Sequence, residues 1–101
     1  MSFGMQGQFK TPGGKLVVVD FQVVDGLLQR VTVHGDFFLY PDDAFPALAA
    51  ALEGAPATLS ATQLAEKVRT GLPAGAELVG ASPEAIATAI KRGLGETGTP
   101  A

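Results

Sequence analysis

The sequence has no cysteine and no tryptophan, a single histidine and a single tyrosine. Without thiols there are no disulfides, no thiolate metal sites and no sulfur nucleophile, and the redox compartment cannot be read from the chain. Charge is sparse as well. Asp, Glu, Lys and Arg make up 17% of the residues, the formal net charge is −3, and the seven basic residues are scattered. The basic stripe of a nucleic-acid binder is therefore missing. Long apolar runs are also missing: the longest candidate, Leu16–Val19, is broken at once by Asp20, far short of the roughly 18 to 20 residues of a membrane span. The first residues, Met1-Ser-Phe-Gly-Met-Gln6, have neither the basic nor the apolar region of a secretory signal. The expectation is a cytoplasmic protein with no leader to remove, no membrane partner and no nucleic-acid partner.

What the sequence does have is apolar material. Hydrophobic residues are 47% of 101, enough to build one core in a chain too short for two. Residues 1–94 are read as a single domain and 95–101, which lack an apolar anchor, as a flexible tail.

The stretch Lys15–His34 reads as a β-hairpin: two runs rich in β-branched residues alternate with period two around Asp25-Gly26. Val17, Val19, Phe21 and Val23 share one face of the first run. On the second, Leu27, Val31 and Val33 share a face with Gln29. A two-residue Asp-Gly loop sets Val23 opposite Leu28 and turns the apolar faces apart. A three-residue loop, Val24-Asp25-Gly26, pairs Val23 with Leu27, Val19 with Val31 and Val17 with Val33, and this is the expected register. Upstream, Thr11-Pro12-Gly13-Gly14 fits a type II turn, with proline second and a positive-φ glycine third. A further strand through Gln8–Lys10 precedes it.

After the sheet the period changes to 3.6. In Ala44–Glu53, Phe45, Leu48 and Leu52 share a face, Asp42 and Asp43 suit the helix N-terminus, and Gly54 is a stop. Ser60-Ala-Thr-Gln63 has the spacing of a capping box and opens a second helix that ends at Gly71, with Leu64 and Val68 inward. Ser82-Pro83-Glu84 opens a third, with Ile86, Ile90 and Leu94 facing in and Lys91 and Arg92 near its end. Strands first and helices afterwards give an α+β class: an antiparallel hairpin sheet of about three strands packed against three helices.

Chemistry is harder to find. His34 lacks a nucleophile elbow to work with, and the adjacent carboxylates Asp42 and Asp43 point in different directions at a helix start. Gly13-Gly14-Lys15 lacks the phosphate-loop spacing, and Leu16 stands where the magnesium-binding hydroxyl belongs. No catalytic residue and no metal site is assigned. Lys10 and Lys15 remain candidates to lean toward an anionic ligand held by a partner, which requires only positive charge at a rim. The most unusual segment is Gly35-Asp36-Phe37-Phe38-Leu39-Tyr40-Pro41, an aromatic joint between sheet and helix where a polar loop is the norm. Consecutive rings cannot all face the same way, so at least one belongs on a docking surface.

These residues resemble a known family. Lys10-Thr-Pro-Gly-Gly-Lys-Leu16, Val24-Asp-Gly26, His34-Gly-Asp-Phe-Phe-Leu-Tyr-Pro41 and Leu52-Glu-Gly54 are similar to the C-terminal accessory domain of lipoate-protein ligases, over roughly Gly7 to Leu94. In that family a large domain binds lipoate and ATP, forms lipoyl-adenylate and passes the lipoyl group to a lysine of an acceptor domain. The small domain closes over the intermediate and in split ligases is a separate chain. The large domain's lipoate-binding and catalytic lysine motifs are absent here. The resemblance therefore implies a non-catalytic accessory subunit, or an excised or orphan accessory domain, that forms a heterodimer with a ligase catalytic subunit. Lipoate, ATP and Mg would be held in that complex and none of them by this chain alone, and lipoyl acceptor domains are further possible partners. It also implies that Gly35 permits a tight exit from its strand, that Asp36 receives backbone N–H bonds, that Phe37 or Phe38 anchors the joint or the docking face beside Tyr40, and that Lys15 approaches the adenylate phosphate. Two alternatives stay open: an orphan binding or scaffold module for another acyl-protein ligase of the biotin type, and a small independent enzyme.

Overall fold

Three antiparallel strands, β1 (Gly4–Lys10), β2 (Leu16–Val24) and β3 (Leu27–Gly35), form a sheet in the order β1-β2-β3. The computed structural model describes residues 4–13 and 15–95. Gly14 of the expected turn, and the expected tail beyond Gly95, lie outside the described residues. Gly13 has φ 96°, the positive value expected at the third position of that turn.

The hairpin register corrects the expectation. The turn is the two-residue Asp25-Gly26 loop, with φ 53° and 77°, the left-handed pair of a type I′ turn. Val24 faces Leu27 and Val23 faces Leu28, while further down Val19 faces Val33 and Val17 faces Gly35. Both halves keep an apolar face because the register shifts between Asp20 and Gln22. Phe21 there stands against two residues, Arg30 and Val31, so one extra residue in β3 restores the parity that the short turn breaks. Leu28, Val31 and Val33 are all buried as a result. Leu27 and Gln29, expected on the core face, are only half-buried.

A short strand, β4 (Phe38–Tyr40), follows, and then a single 3-10 turn over Asp42–Ala44 leads into α1 (Phe45–Leu52). The α-helix thus begins one residue later than expected, and Asp43 lies ahead of its first turn. In α2 (Ala61–Gly71) the capping box is formed in full: the Ser60 hydroxyl accepts from the Gln63 N–H at 3.1 Å, and the Gln63 side chain accepts from the Ser60 N–H at 2.9 Å. In α3 (Pro83–Gly93) the Ser82 hydroxyl accepts from the Ala85 N–H at 3.1 Å.

The helices cover one face of the sheet, α3 across β1 and β2, and α1 across β3, with α2 packed between them. Leu48, Leu52, Leu64, Val68, Ile86 and Ile90 are fully buried against Val17, Val19, Phe21 and Leu28. The α+β class is as expected. The sequence reading missed β5 (Glu77–Val79), which pairs with β4 in a second, two-stranded antiparallel ribbon.

Candidate functional site

The joint between sheet and first helix is a strand, and its alternation sorts the rings. Phe37 is buried and meets Phe45 with ring centroids 5.9 Å apart. Leu39 is buried, whereas Phe38 and Tyr40 are 56% and 52% exposed. Their rings lie 6.3 Å apart and nearly parallel, at 20°, a geometry that i and i+2 positions on one strand face permit. The register sets Val79 opposite Phe38 and Glu77 opposite Tyr40. Directly opposed residues of an antiparallel pair share a face, so Phe38, Tyr40, Val79 and Glu77 form one outward surface while Leu39 and Leu78 face the core. Val79 is 43% exposed, and among the described residues only Val24, at the hairpin, is a further exposed large hydrophobic side chain.

The backbone ties this ribbon to the other predicted residues. Gly35 has φ 146°, and a Cβ there would collide with the Leu16 carbonyl oxygen, so the tight exit from β3 requires glycine. Asp36 departs from the expected role. Its own backbone N–H donates to the Leu16 carbonyl at 2.9 Å, and its carboxylate receives no hydrogen bond among the described residues. Lys15 precedes Leu16, and its stem lies over Gly80, where an added Cβ would stand 3.0 Å from the Lys15 Cγ. Since Gly80 follows Val79, the structure brings Lys15, Gly35, Asp36 and Phe38 into one neighbourhood. Lys10 lies at the end of β1, exposed and opposite Leu16, on the sheet face that the helices leave open.

Beside this surface runs a cleft of about 380 Å³ between the β1–β2 turn, with Thr11, Pro12 and Lys15, and the entry to α3, with Gly80 and Ser82. The Thr11 hydroxyl bridges its two walls, 3.1 Å from the Lys15 carbonyl and 3.4 Å from that of Gly80. No periodic pattern in the sequence marks this cleft, because its walls are a turn and a helix cap separated by some 65 residues of chain.

His34 lies on the open sheet face. Its Nε2 is 2.7 Å from Asp20 Oδ2, and the Gln6 amide donates to Asp20 Oδ1 at 2.8 Å. The Gln6 hydrogen bond, then that from His34, holds the Asp20 carboxyl below its usual range. No hydroxyl is bonded to the His34 ring among the described residues, and the pair is an exposed side-chain hydrogen bond. Among the described residues no three His, Cys, Asp or Glu side chains converge to hold a metal ion, and no helix is long and apolar enough to cross a membrane.

No protein-family model matches the chain, and no curated protein matches it. Among solved structures it is similar to a chain from an archaeal lipoylation system of Thermoplasma acidophilum, described as a bipartite lipoate protein ligase and its E2 lipoyl domain. The identity is 21% and the TM-score 0.70, over 89% of this chain and 97% of that one. At this identity the likeness shows the fold: the two chains are nearly the same length and share one architecture.

Proposed function

We propose that this chain is a non-catalytic accessory subunit of a lipoate-protein ligase, assisting ATP-dependent lipoyl-adenylate formation by a separate catalytic chain. The observation that carries the reading is the stacked pair Phe38 and Tyr40, held out from the core on a ribbon whose other face is buried. Solvent-exposed aromatics fixed on a rigid element are the usual anchors of a protein interface. The shared fold with a chain of a bipartite ligase system supports the choice of partner, and so do the sequence elements that resemble the ligase accessory domain.

The chemistry explains why such a subunit is useful. The lipoate carboxylate attacks the α-phosphorus of ATP, a carboxyl oxygen–phosphorus bond forms, and pyrophosphate leaves. The product is a mixed anhydride that water destroys. Lipoate, ATP and Mg belong to the catalytic chain, and a small rigid domain closing over them excludes water without supplying a nucleophile. In this reading Phe38 and Tyr40 seat on the catalytic chain, and Lys15, beside the same face, is directed toward the anionic ligand.

The test is lipoate-dependent exchange of pyrophosphate into ATP by a purified candidate catalytic chain, with and without this chain. The expected result is stimulation that saturates at one equivalent. An exchange rate indifferent to its addition, for every catalytic chain found beside it, sinks the reading.

A further inference from the structure

The outward face of the ribbon is edged by carboxylates that form no ion pair among the described residues, although Lys15 lies beside the same face. Elsewhere most of the described acidic groups are satisfied. Asp20 is bonded to Gln6 and His34, Glu53 holds two backbone N–H groups, and Glu66 and Glu84 share Arg69. Of the other carboxylates described, Asp25 sits on the hairpin tip, and Asp36, Asp43 and Glu77 have no partner among the described residues. Those three lie on the ribbon or in the segments next to it. Glu77 shares their face opposite Tyr40, Asp36 precedes Phe38 by two positions, and Asp43 lies in the 3-10 turn packed against β4.

On the reading that a separate catalytic chain covers this face, we propose that the covering surface is an apolar patch rimmed by Lys or Arg side chains, which pair with Glu77, Asp43 and Asp36 as the complex forms. An apolar centre with charge at its edge is the ordinary anatomy of a specific interface, and complementary rims set orientation and speed of docking. A chain that binds ATP and a carboxylic acid must gather cations around its site. An acidic rim fits that surface. It also disfavours a second copy of this chain seated face to face, since Asp36, Asp43 and Glu77 outnumber Lys15 on each face and mostly like charges would be brought together at the edge.

The experiment is a calorimetric titration of the whole chain into a purified lipoate ligase catalytic chain at low and at high salt. Wild-type binding is expected to weaken with salt. The double substitution Glu77→Gln with Asp43→Asn is expected to weaken it about tenfold at low salt and to flatten the salt dependence. Thr62→Lys with Ala50→Lys, the same change in net charge at exposed positions of α2 and α1, leaves affinity unchanged, and Phe38→Ala removes most of it. Circular dichroism and urea unfolding show that each variant is folded. A complex that needs Phe38 yet ignores the loss of Glu77 and Asp43 overturns the basic rim and leaves the accessory role standing. Failure of the wild-type chain to bind overturns both. Self-association that Phe38→Ala abolishes makes a second copy the occupant and overturns the inference as well.

Discussion

The carboxylate of Glu53, at the C-terminal cap of α1, faces the bulge in β3. Its two oxygens accept from the N–H groups of Arg30 at 3.0 Å and Val31 at 2.6 Å, the donors that a bulge takes out of the ladder. Arg30 has φ 54°, a left-handed conformation that costs a non-glycine residue about 1–2 kcal/mol. Glu53 compensates that cost and so holds the register. Glu53→Ala should destabilise the fold by about 1–2 kcal/mol in urea unfolding, because two backbone donors lose their acceptor, and Glu53→Gln, which keeps one carbonyl, should cost less. Asp20 offers a test in pH. Its folded pKa is depressed from the ordinary 3.8 by the hydrogen bonds from Gln6 and His34. Its contribution to stability is thus present above the unfolded value and is lost as the pH falls through the lower folded value. The group is partly solvated, so the effect is small. Asp20→Asn should flatten the acid limb of the stability curve through a small loss of stability above the unfolded carboxylate value, with little change at the acid end, and Gln6→Leu should do the same in part.

At the scale of elements, α3 lies directly on the backbone of β1. A Cβ at Gly7 would stand 2.8 Å from the Gly93 nitrogen and closer still to the Ala89 carbonyl oxygen, and Arg92 lies over the Phe9 ring, 5.0 Å from its centroid. Helix and strand cannot separate locally without opening the core between Val19, Phe21 and Ile90. Gly7→Ala should therefore cost about 1–3 kcal/mol or more by overpacking, measured as a fall in the thermal midpoint. Gly4→Ala on the same strand, with open space around it, should cost little. The helices were the legible elements. Ser60 with Gln63, and Ser82 with Pro83, mark their starts through local hydrogen bonds that need nothing beyond the next turn. The hairpin was less legible, since its register depends on a bulge stabilised by Glu53 some 22 residues away. β5 was not legible at all, because three residues carry too little pattern to distinguish a strand from a loop.

For the whole molecule the contrast between neighbouring rings is decisive. Phe37→Ala removes a buried ring and should cost about 3–5 kcal/mol, so that variant loses partner binding only because it loses the fold. Phe38→Ala should change stability by no more than about 0.5 kcal/mol, as exposed substitutions usually do, yet abolish stimulation of lipoate-dependent pyrophosphate exchange. If both variants instead fell together in stability, the ring of Phe38 would be structural and the docking face would have to be sought elsewhere. The same surface gathers Lys15, Gly35, Asp36 and Val79 from three distant parts of the chain, and no reading of any one segment contains it.

The sequence by itself determined the α+β class, the capped starts of α2 and α3, the glycine stop of α2 and the presence of more aromatic side chains at one joint than the core there can absorb. Each of these is set by short-range sterics, local hydrogen bonds or the period of apolar residues. Only the tertiary structure decided which rings face outward, which turn the hairpin uses, and that Glu77 and Val79 share a surface with Phe38 and Tyr40. Those outcomes depend on pairing between strands far apart in the chain, where the free energy of one long-range contact fixes the facing of every residue beside it.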